Sequence, residues 1–335
     1  MIRYLRPFID KGKNFRLHRL TGFLRELSRE SGYPVIAPLP KVLWCMYRGF
    51  NYQEIRFFGL HRLTYRKINT YHSTFDNVRL IERLNPASEL IQLRDKGLFL
   101  KRFSHRLNRD FLDLRTASAK DFAQFVDRHP CFVAKAYNLA QGSGIEVIDS
   151  ATVSGNSSDL HDRLVAATKF VVEEFITQHA DINRVYADSV NSIRITTHLT
   201  TGGPDIGLPP TIRFGCNGGR IDFEGELNAL IDVRTGFLTS SALDANSEWH
   251  AAHPDSGVRF TSVRIPYWEA AIEMVKAAAR EIPEIRWIGW DVAITPAGPV
   301  LIEGNGAPTI GHVQLLVAAH DPEGAGCRRR LAALT

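Results

Sequence analysis

The chain has 335 residues, 44% of them hydrophobic, and carries 41 Lys and Arg against 36 Asp and Glu, a formal net charge of +5. That is enough apolar material for two or three domains, and no window approaches the roughly 18 continuous apolar residues of a membrane-spanning helix. Cys45, Cys131, Cys216 and Cys327 are scattered without a CxxC pair and the N-terminus has no apolar signal core, so a reduced, cytoplasmic protein without a thiolate metal site is expected.

The charge is uneven. Residues 1–70 hold 14 Lys and Arg against 4 Asp and Glu, and the remainder holds 27 against 32. A basic first segment suits an anionic substrate or peripheral contact with a membrane face. No RNP, helix-turn-helix or zinc-finger signature accompanies it, so nucleic acid is not expected as a partner. Nothing in the pattern specifies an oligomeric state.

Residues 1–88 read as mostly helical. "FRLHRLTGFLRELSRESG" has apolar residues near helical spacing and a stop at Gly32, "SGYPVIAPLP" is a loop, and "KVLWCMYRGF" begins another helix. Residues 89–112 read as a helix and a turn, and "DLRTASAKDFAQFVDRHP" as a helix that ends before Pro130. "CFVAKAYN" and "IEVID" are strands around the loop "LAQGSG". A polar turn and a short helix, "HDRLVAATK", lead to the strand "FVVEEFI". Strands follow in "SVNSIRITTHLT", "PPTIRFGCN", "RIDFEG" and "ALIDVRTGFLTS", then the helix "YWEAAIEMVKAAAREI" and the strands "IRWIGWDVAIT" and "GPVLIEGN". The sum is α+β with at least two lobes, 89–176 and 177–335, after an N-terminal region of 1–88.

"IGWDVAIT-PAG-PVLIEGN" reads as a β-hairpin with a three-residue loop, Pro296-Ala297-Gly298. That register pairs Thr295 with Pro299, Val292 with Ile302, and Asp291 with Glu303. Directly opposed residues have Cβ atoms about 5 Å apart, and Asn305 projects from the same face as Glu303. Two opposed carboxylates repel unless a cation or a shared proton compensates. Two carboxylates and an amide on one face suit Mg²⁺, and Gly304 and Gly306 leave room beside it for a ligand. The bland alternative is a solvated hairpin with chance acids.

Lys135 lies inside an apolar strand, where it either snorkels or serves an anion. Gly142, Ser143 and Gly144 follow as a loop whose backbone N–H groups suit a phosphate. A protein-kinase reading fails, because the glycine loop follows the lysine and "HRLNRD" is not in the frame of a catalytic loop. "FVVEEFI" ends in acids at a point where backbone groups could meet an adenine edge.

The order of these pieces resembles the ATP-grasp superfamily, and within it the sugar-transfer-associated branch related to α-L-glutamate ligases. "VVEEFITQH", "SVNSIRITT", "IGWDVAIT" and "GPVLIEGN" carry the resemblance, over roughly residues 90–315. It implies two lobes gripping ATP, preceded by the helical basic region. It implies that Lys96 and Lys135 contact the phosphates of ATP, that Ser143 with Gly142 and Gly144 forms a flap, and that Glu173, Glu174 and Ile176 form the adenine hinge. Asp181 is the implied ribose ligand, with His179 as an alternative. Asp291, Glu303 and Asn305 would hold two Mg²⁺ ions. The implied activity is ADP-forming ligation of a small-molecule carboxylate to an amine, near polysaccharide or natural-product biosynthesis. Phosphoryl transfer to a small molecule, and nucleotide binding without turnover, are the alternatives.

The chain departs from the pattern of D-Ala–D-Ala ligases at one place. They carry an Arg two positions before the metal Asp, where this chain has Gly289, so the charge must come from elsewhere. Arg194, on one face with Ser192 and Thr196, and Arg213, flanked by apolar residues, are the candidates to grip an acyl phosphate. Structural ion pairs with Asp222 or Asp232 are the alternative. Asn191 is a candidate substrate residue or a turn-maker, and His312 a candidate acceptor contact or a plain loop residue.

Overall fold

The computed structural model describes residues 17–32, 34–137, 144–152, 156–219 and 226–334. The α+β expectation holds, with two all-antiparallel sheets. The smaller joins β1 (Phe111–Asp113), β2 (Cys131–Lys135), β3 (Ile145–Asp149) and β4 (Val171–Glu174) in the order β1-β4-β2-β3. The larger contains β5 (Ser192–Thr200), β6 (Gly203–Ile206), β7 (Thr211–Phe214), β8 (Leu227–Leu230), β9 (Ala242–Asp244), β10 (Trp249–His250), β11 (Trp287–Thr295) and β12 (Gly298–Asn305). Its order is β10-β9-β8-β7-β5-β11-β12, with β6 on β5. The stretch read as a helix and a turn at 89–112 runs into β1, a strand too short for alternation to reveal. The expected strand "RIDFEG" lies outside the described residues.

Each sheet covers one face with helices and leaves the other for chemistry. In the small sheet, Phe132, Ala134, Ile148 and Val172 pack against Phe122, Phe125, Leu160 and Leu164 of the helices Ala119–Arg128 and Ser157–Ala166. Both helices start with reciprocal capping boxes, Ser118 with Asp121 and Asn156 with Asp159. Such a cap contributes about 1 kcal/mol. Strand alternation then turns Val133, Lys135 and Glu173 to the other face. In the large sheet, Ile193, Ile195, Ile212, Phe214, Ile288 and Val292 join a core with the helix Trp268–Glu281. That helix buries Trp268, Ala271, Ile272, Val275, Ala278 and Ala279, one stripe at helical spacing, and each large side chain stabilises by about 1.5–3 kcal/mol. Ser192, Arg194 and Arg213 face away from this core.

By packing, the chain divides into two compact units, one of residues up to Arg83 with Thr309–Thr335 and one of Leu84–Pro308. Both sheets lie in the second. The first is helical among its described residues, as the sequence reading of the N-terminal region expects, and it also takes in the helix Gly311–His320. Leu20, Leu24, Leu27, Val42, Ile55 and Ala318 form its core. The expected stop at Gly32 is a left-handed residue with φ +71°. Buried Gln314 accepts from His72 N at 2.7 Å and Cys327 N at 3.2 Å, tying the C-terminal helix into this unit.

No helix among the described residues is long and apolar enough to cross a membrane.

Candidate active site

The hairpin of β11 and β12 pairs Asp291 with Glu303, as its sequence pattern predicts, but by another route. The loop has two residues, Pro296 and Ala297, and Thr295 pairs with Gly298 rather than Pro299. Val292 pairs with Leu301 rather than Ile302. Continued unchanged, that register would set Asp291 against Ile302. A β-bulge between Asp291 and Val292 shifts it by one residue and restores the opposition of Asp291 to Glu303. Gly289 then pairs with Asn305, so Asn305 shares the face of the two carboxylates.

Gly304 and Gly306 serve a different purpose from the expected one. A Cβ at Gly304 would meet Leu93 and Trp290 at 3.1 Å and Phe99 at 3.3 Å, and one at Gly306 would meet Leu90 at 2.5 Å. The glycines let helices at Ile91–Arg94 and Lys96–Arg102 press onto the back of the hairpin; they do not open its front. Asn85 fixes the same end, donating to Trp287 O at 2.7 Å and Gly306 O at 2.6 Å and accepting from Trp287 N at 2.9 Å.

Arg194 places a guanidinium beside Gly289. It stands opposite Asp291 on β5, with Nε 2.6 Å from Asp291 Oδ1 in an ion contact and Nη2 donating to Oδ2 at 3.0 Å. A Cβ at Gly289 would lie 2.7 Å from Arg194 Nη1 and 2.8 Å from Pro308 Cβ. The missing side chain at 289 is therefore the space that Arg194 fills from the neighbouring strand. Arg213 occupies the same sheet face two positions along, opposite Ser192, with its Nε 3.0 Å from Glu226 Oε2. Among the described residues Arg194 pairs with Asp291 and Arg213 with Glu226, and Asp232 is in neither pair. Asp222 lies outside the described residues, and Asp232 accepts from Thr235 and Arg234 in a turn.

The small sheet contributes cations. Lys135 Nζ lies 2.6 Å from Glu173 Oε1, and Arg109 Nε donates to Glu173 Oε2 at 2.7 Å. Burial alone would raise the Glu173 carboxyl, but Arg109 and then Lys135 outweigh it and hold the group down at about 2. Glu173 is thus a buried ionic hub rather than a free hinge acid. Arg109 also donates to the carbonyls of Leu301 and Ile302 at the bulge, so one guanidinium joins the small sheet to the bulged strand. Lys96 opens the helix Lys96–Arg102, capped by Asp95 through Leu98 N at 3.1 Å. Arg115 grips Asp95 at 2.6 and 2.8 Å.

The two halves feel one another. Burial first, then the charge of Asp291, push the Glu303 carboxyl up, while Lys96, Arg194 and Lys135 pull it down. Burial pushes the Lys96 ammonium down; Glu303 opposes this and Lys135 adds to it. Lys96, Lys135, Glu173, Arg194, Asp291 and Glu303 therefore form one electrostatic cluster, with Asn305 on the same sheet face. The donor set of Asp291, Glu303 and Asn305 is all hard oxygen, with one carboxyl held at a cost that a cation would relieve, which fits Mg²⁺.

Other expected residues stand apart. Gly142 and Ser143 lie outside the described residues, and Gly144 is left-handed at φ +79° where the chain enters β3. Glu174 points to the opposite face of β4 from Glu173 and accepts from Asp110 N at 3.1 Å. Ile176 is half-buried just after that strand. Asp181 is exposed in the short helix Ala180–Asn183, whose cap His179 donates its N–H to Ile294 O at 2.8 Å. Ile294 is three residues from Asp291, about 10 Å along a strand and towards the hairpin turn. Asn191 is buried and used: Nδ2 donates to Gln178 Oε1 at 3.0 Å and Tyr186 O at 2.7 Å, and Oδ1 accepts from Gly215 N at 3.2 Å. It ties the entry of β5 to the end of β7. His312 belongs to the helical unit, edge-on to Phe57 at 5.3 Å between ring centroids.

Sequence reasoning missed Arg109, Asn85, Asp95 as a cap, and Glu226. The one signal for Arg109 was "LNRD" ahead of a strand, where Asn108 adopts a left-handed turn at φ +49° that aims the next residue inward.

A family model described as sugar-transfer associated ATP-grasp matches residues 76–331. No curated protein matches the chain. Among solved structures, D-alanyl-alanine synthetase A from Vibrio cholerae is 12% identical at TM-score 0.43, over 72% of this chain and 64% of that one. The ATP-grasp ligase PsnB complexed with minimal precursor is 11% identical at TM-score 0.43, over 77% and 67%. N5-carboxyaminoimidazole synthetase from Staphylococcus aureus complexed with ADP is 12% identical at TM-score 0.41, over 65% and 46%. The match to the first of these thus spans less than two thirds of its length. The family model, in contrast, takes in both sheets and the whole carboxylate hairpin, and the chain belongs to the sugar-transfer associated ATP-grasp family.

Proposed function

We propose that the protein is an ATP- and Mg²⁺-dependent ligase that activates a carboxylate as an acyl phosphate and joins it to an amine. One observation carries the reading. Asp291 and Glu303 are brought opposite each other by a bulge, and the charges of Lys96, Lys135 and Arg194 all act on the Glu303 carboxyl. Such a site suits a polyanion carrying divalent metal.

In this reading Asp291, Glu303 and Asn305 hold two Mg²⁺ ions, which when bound neutralise phosphate oxygens. Lys96 and Lys135 hold the phosphates of ATP, under the loop of Gly142, Ser143 and Gly144. The backbone of Glu174 to Ile176 meets the adenine, and Asp181 the ribose. A substrate carboxylate oxygen takes the γ-phosphoryl group and ADP leaves; the amine then attacks the acyl carbon and phosphate leaves. Arg194 and Arg213 steady the charge on the transferring phosphoryl and acyl groups. No protein nucleophile is required. The substrates are an amino acid and a sugar acid or similar small metabolite, within polysaccharide or natural-product biosynthesis.

A screen of amino acids and sugar acids for ADP release tests this. Release that requires both a carboxylate and an amine supports it. Release with a hydroxyl acceptor alone, leaving a phosphorylated product, makes the protein a phosphotransferase. ATP binding with no release under any pair makes it a nucleotide-binding protein.

A further inference from the structure

In the helical unit, an apolar surface lies among basic residues. The helix Leu39–Tyr47 exposes Leu43 and Tyr47, at 44% and 80%, beside Tyr65 at 46%. Pro40, Leu43, Trp44, Tyr47 and Tyr65 line a shallow groove of about 650 Å³. Trp44 stands edge-on to Tyr65 and donates through Nε1 to Asn69 Oδ1 at 3.3 Å, which leaves the rest of its ring apolar. In the turn before this helix, Ile36 is 71% exposed. Trp44, Tyr47 and Tyr65, each with an apolar body and a polar tip, are of the kind that settles at the headgroup level of a bilayer.

The segment that carries the groove is strongly basic. Residues 39–69 contain Lys41, Arg48, Arg56, Arg62, Arg66 and Lys67 against a single acid, Glu54. Glu54 is spent on the fold, accepting from Asn51 N at 2.9 Å and Thr74 N at 2.7 Å. Two of the cations have acidic neighbours from elsewhere in the chain: Arg56 pairs with Glu30 at 2.6 Å, and Arg66 faces Glu323 at 3.8 Å. An apolar groove in a segment with a net excess of cations combines the two signals that together give reversible attachment to a membrane.

We propose that this face docks on the headgroup region of an anionic lipid bilayer. Leu43 and Tyr47 enter the interface, and Arg66, Lys67 and their neighbours meet the lipid phosphates. This is independent of the chemistry at the carboxylate hairpin, and it would hold the protein beside substrates that reside at a membrane surface.

Co-sedimentation of the full chain with vesicles tests it. Sedimentation is expected with phosphatidylcholine vesicles that contain phosphatidylglycerol, falling as salt is raised. Phosphatidylcholine alone is expected to retain far less. A basic side chain near an anionic surface is worth about fivefold in partitioning, so Arg66→Glu with Lys67→Glu should weaken binding by about 25-fold or more. Tyr47→Asp should weaken it by about tenfold, through lost apolar contact. Unchanged thermal melting shows that both variants are folded, and should one unfold, the other carries the test. No sedimentation with anionic vesicles at low salt overturns the proposal, as does wild-type binding by both variants. So does a wild-type dimer in solution that Tyr47→Asp dissociates, because the face would then belong to a second copy of the chain.

Discussion

Glu173, which is buried, and Glu303, which is half-buried, are carboxyls of the same site, and they are poised in opposite directions. Glu173, on the small sheet, is compensated from within by Arg109 and Lys135 and is held down at about 2. Glu303, on the large sheet, is pushed up by burial and by Asp291, and Arg194, the nearest cation on its own sheet, is already bound to Asp291. One acid is a finished ion pair that holds two cations in place. The other is held up by burial and by Asp291, a position that a proton or a bound cation would relieve. Burial alone does not mark a functional acid; the balance of charges around it does.

The largest expected effect is on the raised acid. Glu303→Gln should reduce ADP release by at least about a hundredfold, because it removes the negative charge and one of the two carboxylate oxygens proposed to hold the metal. The same variant should leave the metal-free protein as stable as before or more so, since it removes a repulsion. Full activity in both Glu303→Gln and Asp291→Asn would refute the metal reading.

Glu173→Gln should show the reverse pattern. It leaves Arg109 and Lys135 buried without a counter-charge, a loss of about 3–5 kcal/mol by denaturant unfolding. Stability unchanged in this variant would show that the hub is solvated.

The pH dependence separates the two acids by sign. A depressed carboxyl contributes stability that is present above its unfolded value of 4.5 and is lost as pH falls through about 2. A raised carboxyl works the other way: its stability is present while it is protonated and is lost as pH rises through its folded value. Melting temperature against pH should therefore fall at the acid end through Glu173. Above the carboxylate range it should carry a deficit through Glu303 that Glu303→Gln abolishes. Mg²⁺ should reduce that deficit in the wild type and not in Glu303→Gln.

What was legible in the sequence was local. Alternation in "IGWDVAIT" and "VLIEGN" exposes a face with Asp291, Glu303 and Asn305, because each strand buries the residues between them. The route to the pairing was not legible, since a two-residue turn plus a bulge and a three-residue turn without one give the same opposition at Glu303. Which is adopted depends on packing from residues 91–102 and on Arg109, both distant in sequence. The glycines at 304 and 306 were misread for the same reason: a missing side chain does not say which side needed the room. Asn191 looked like a substrate residue because its partners, Gln178, Tyr186 and Gly215, cannot be counted before the chain folds. Arg194 was legible as a charge in search of a role, and its role became visible only across the strand, in the void at Gly289.

That void gives a smaller and sharper test. Gly289→Ala places a Cβ against Arg194 Nη1 and Pro308 Cβ at contacts no real side chain tolerates. Part of the strain can be relieved by moving the guanidinium, so the stability cost should be about 1–3 kcal/mol. Activity should fall further than stability, because Asp291 loses its orienting partner. Gly289→Ala with wild-type turnover would show that the position of Arg194 is immaterial to the chemistry.

The smallest effect is expected at Asp181, the proposed ribose ligand. Its carboxylate is 58% exposed, 3.7 Å from His179 Nδ1 in a four-residue helix, and the cap of that helix is made by His179 and not by Asp181. Asp181→Ala should therefore change stability by less than about 0.5 kcal/mol. A lost hydrogen bond to a ribose hydroxyl raises the KM for ATP by roughly three- to tenfold with kcat unchanged, which marks ground-state binding. A KM for ATP equal to wild type would remove Asp181 from the site and leave His179, which shares its turn, as the group to substitute next.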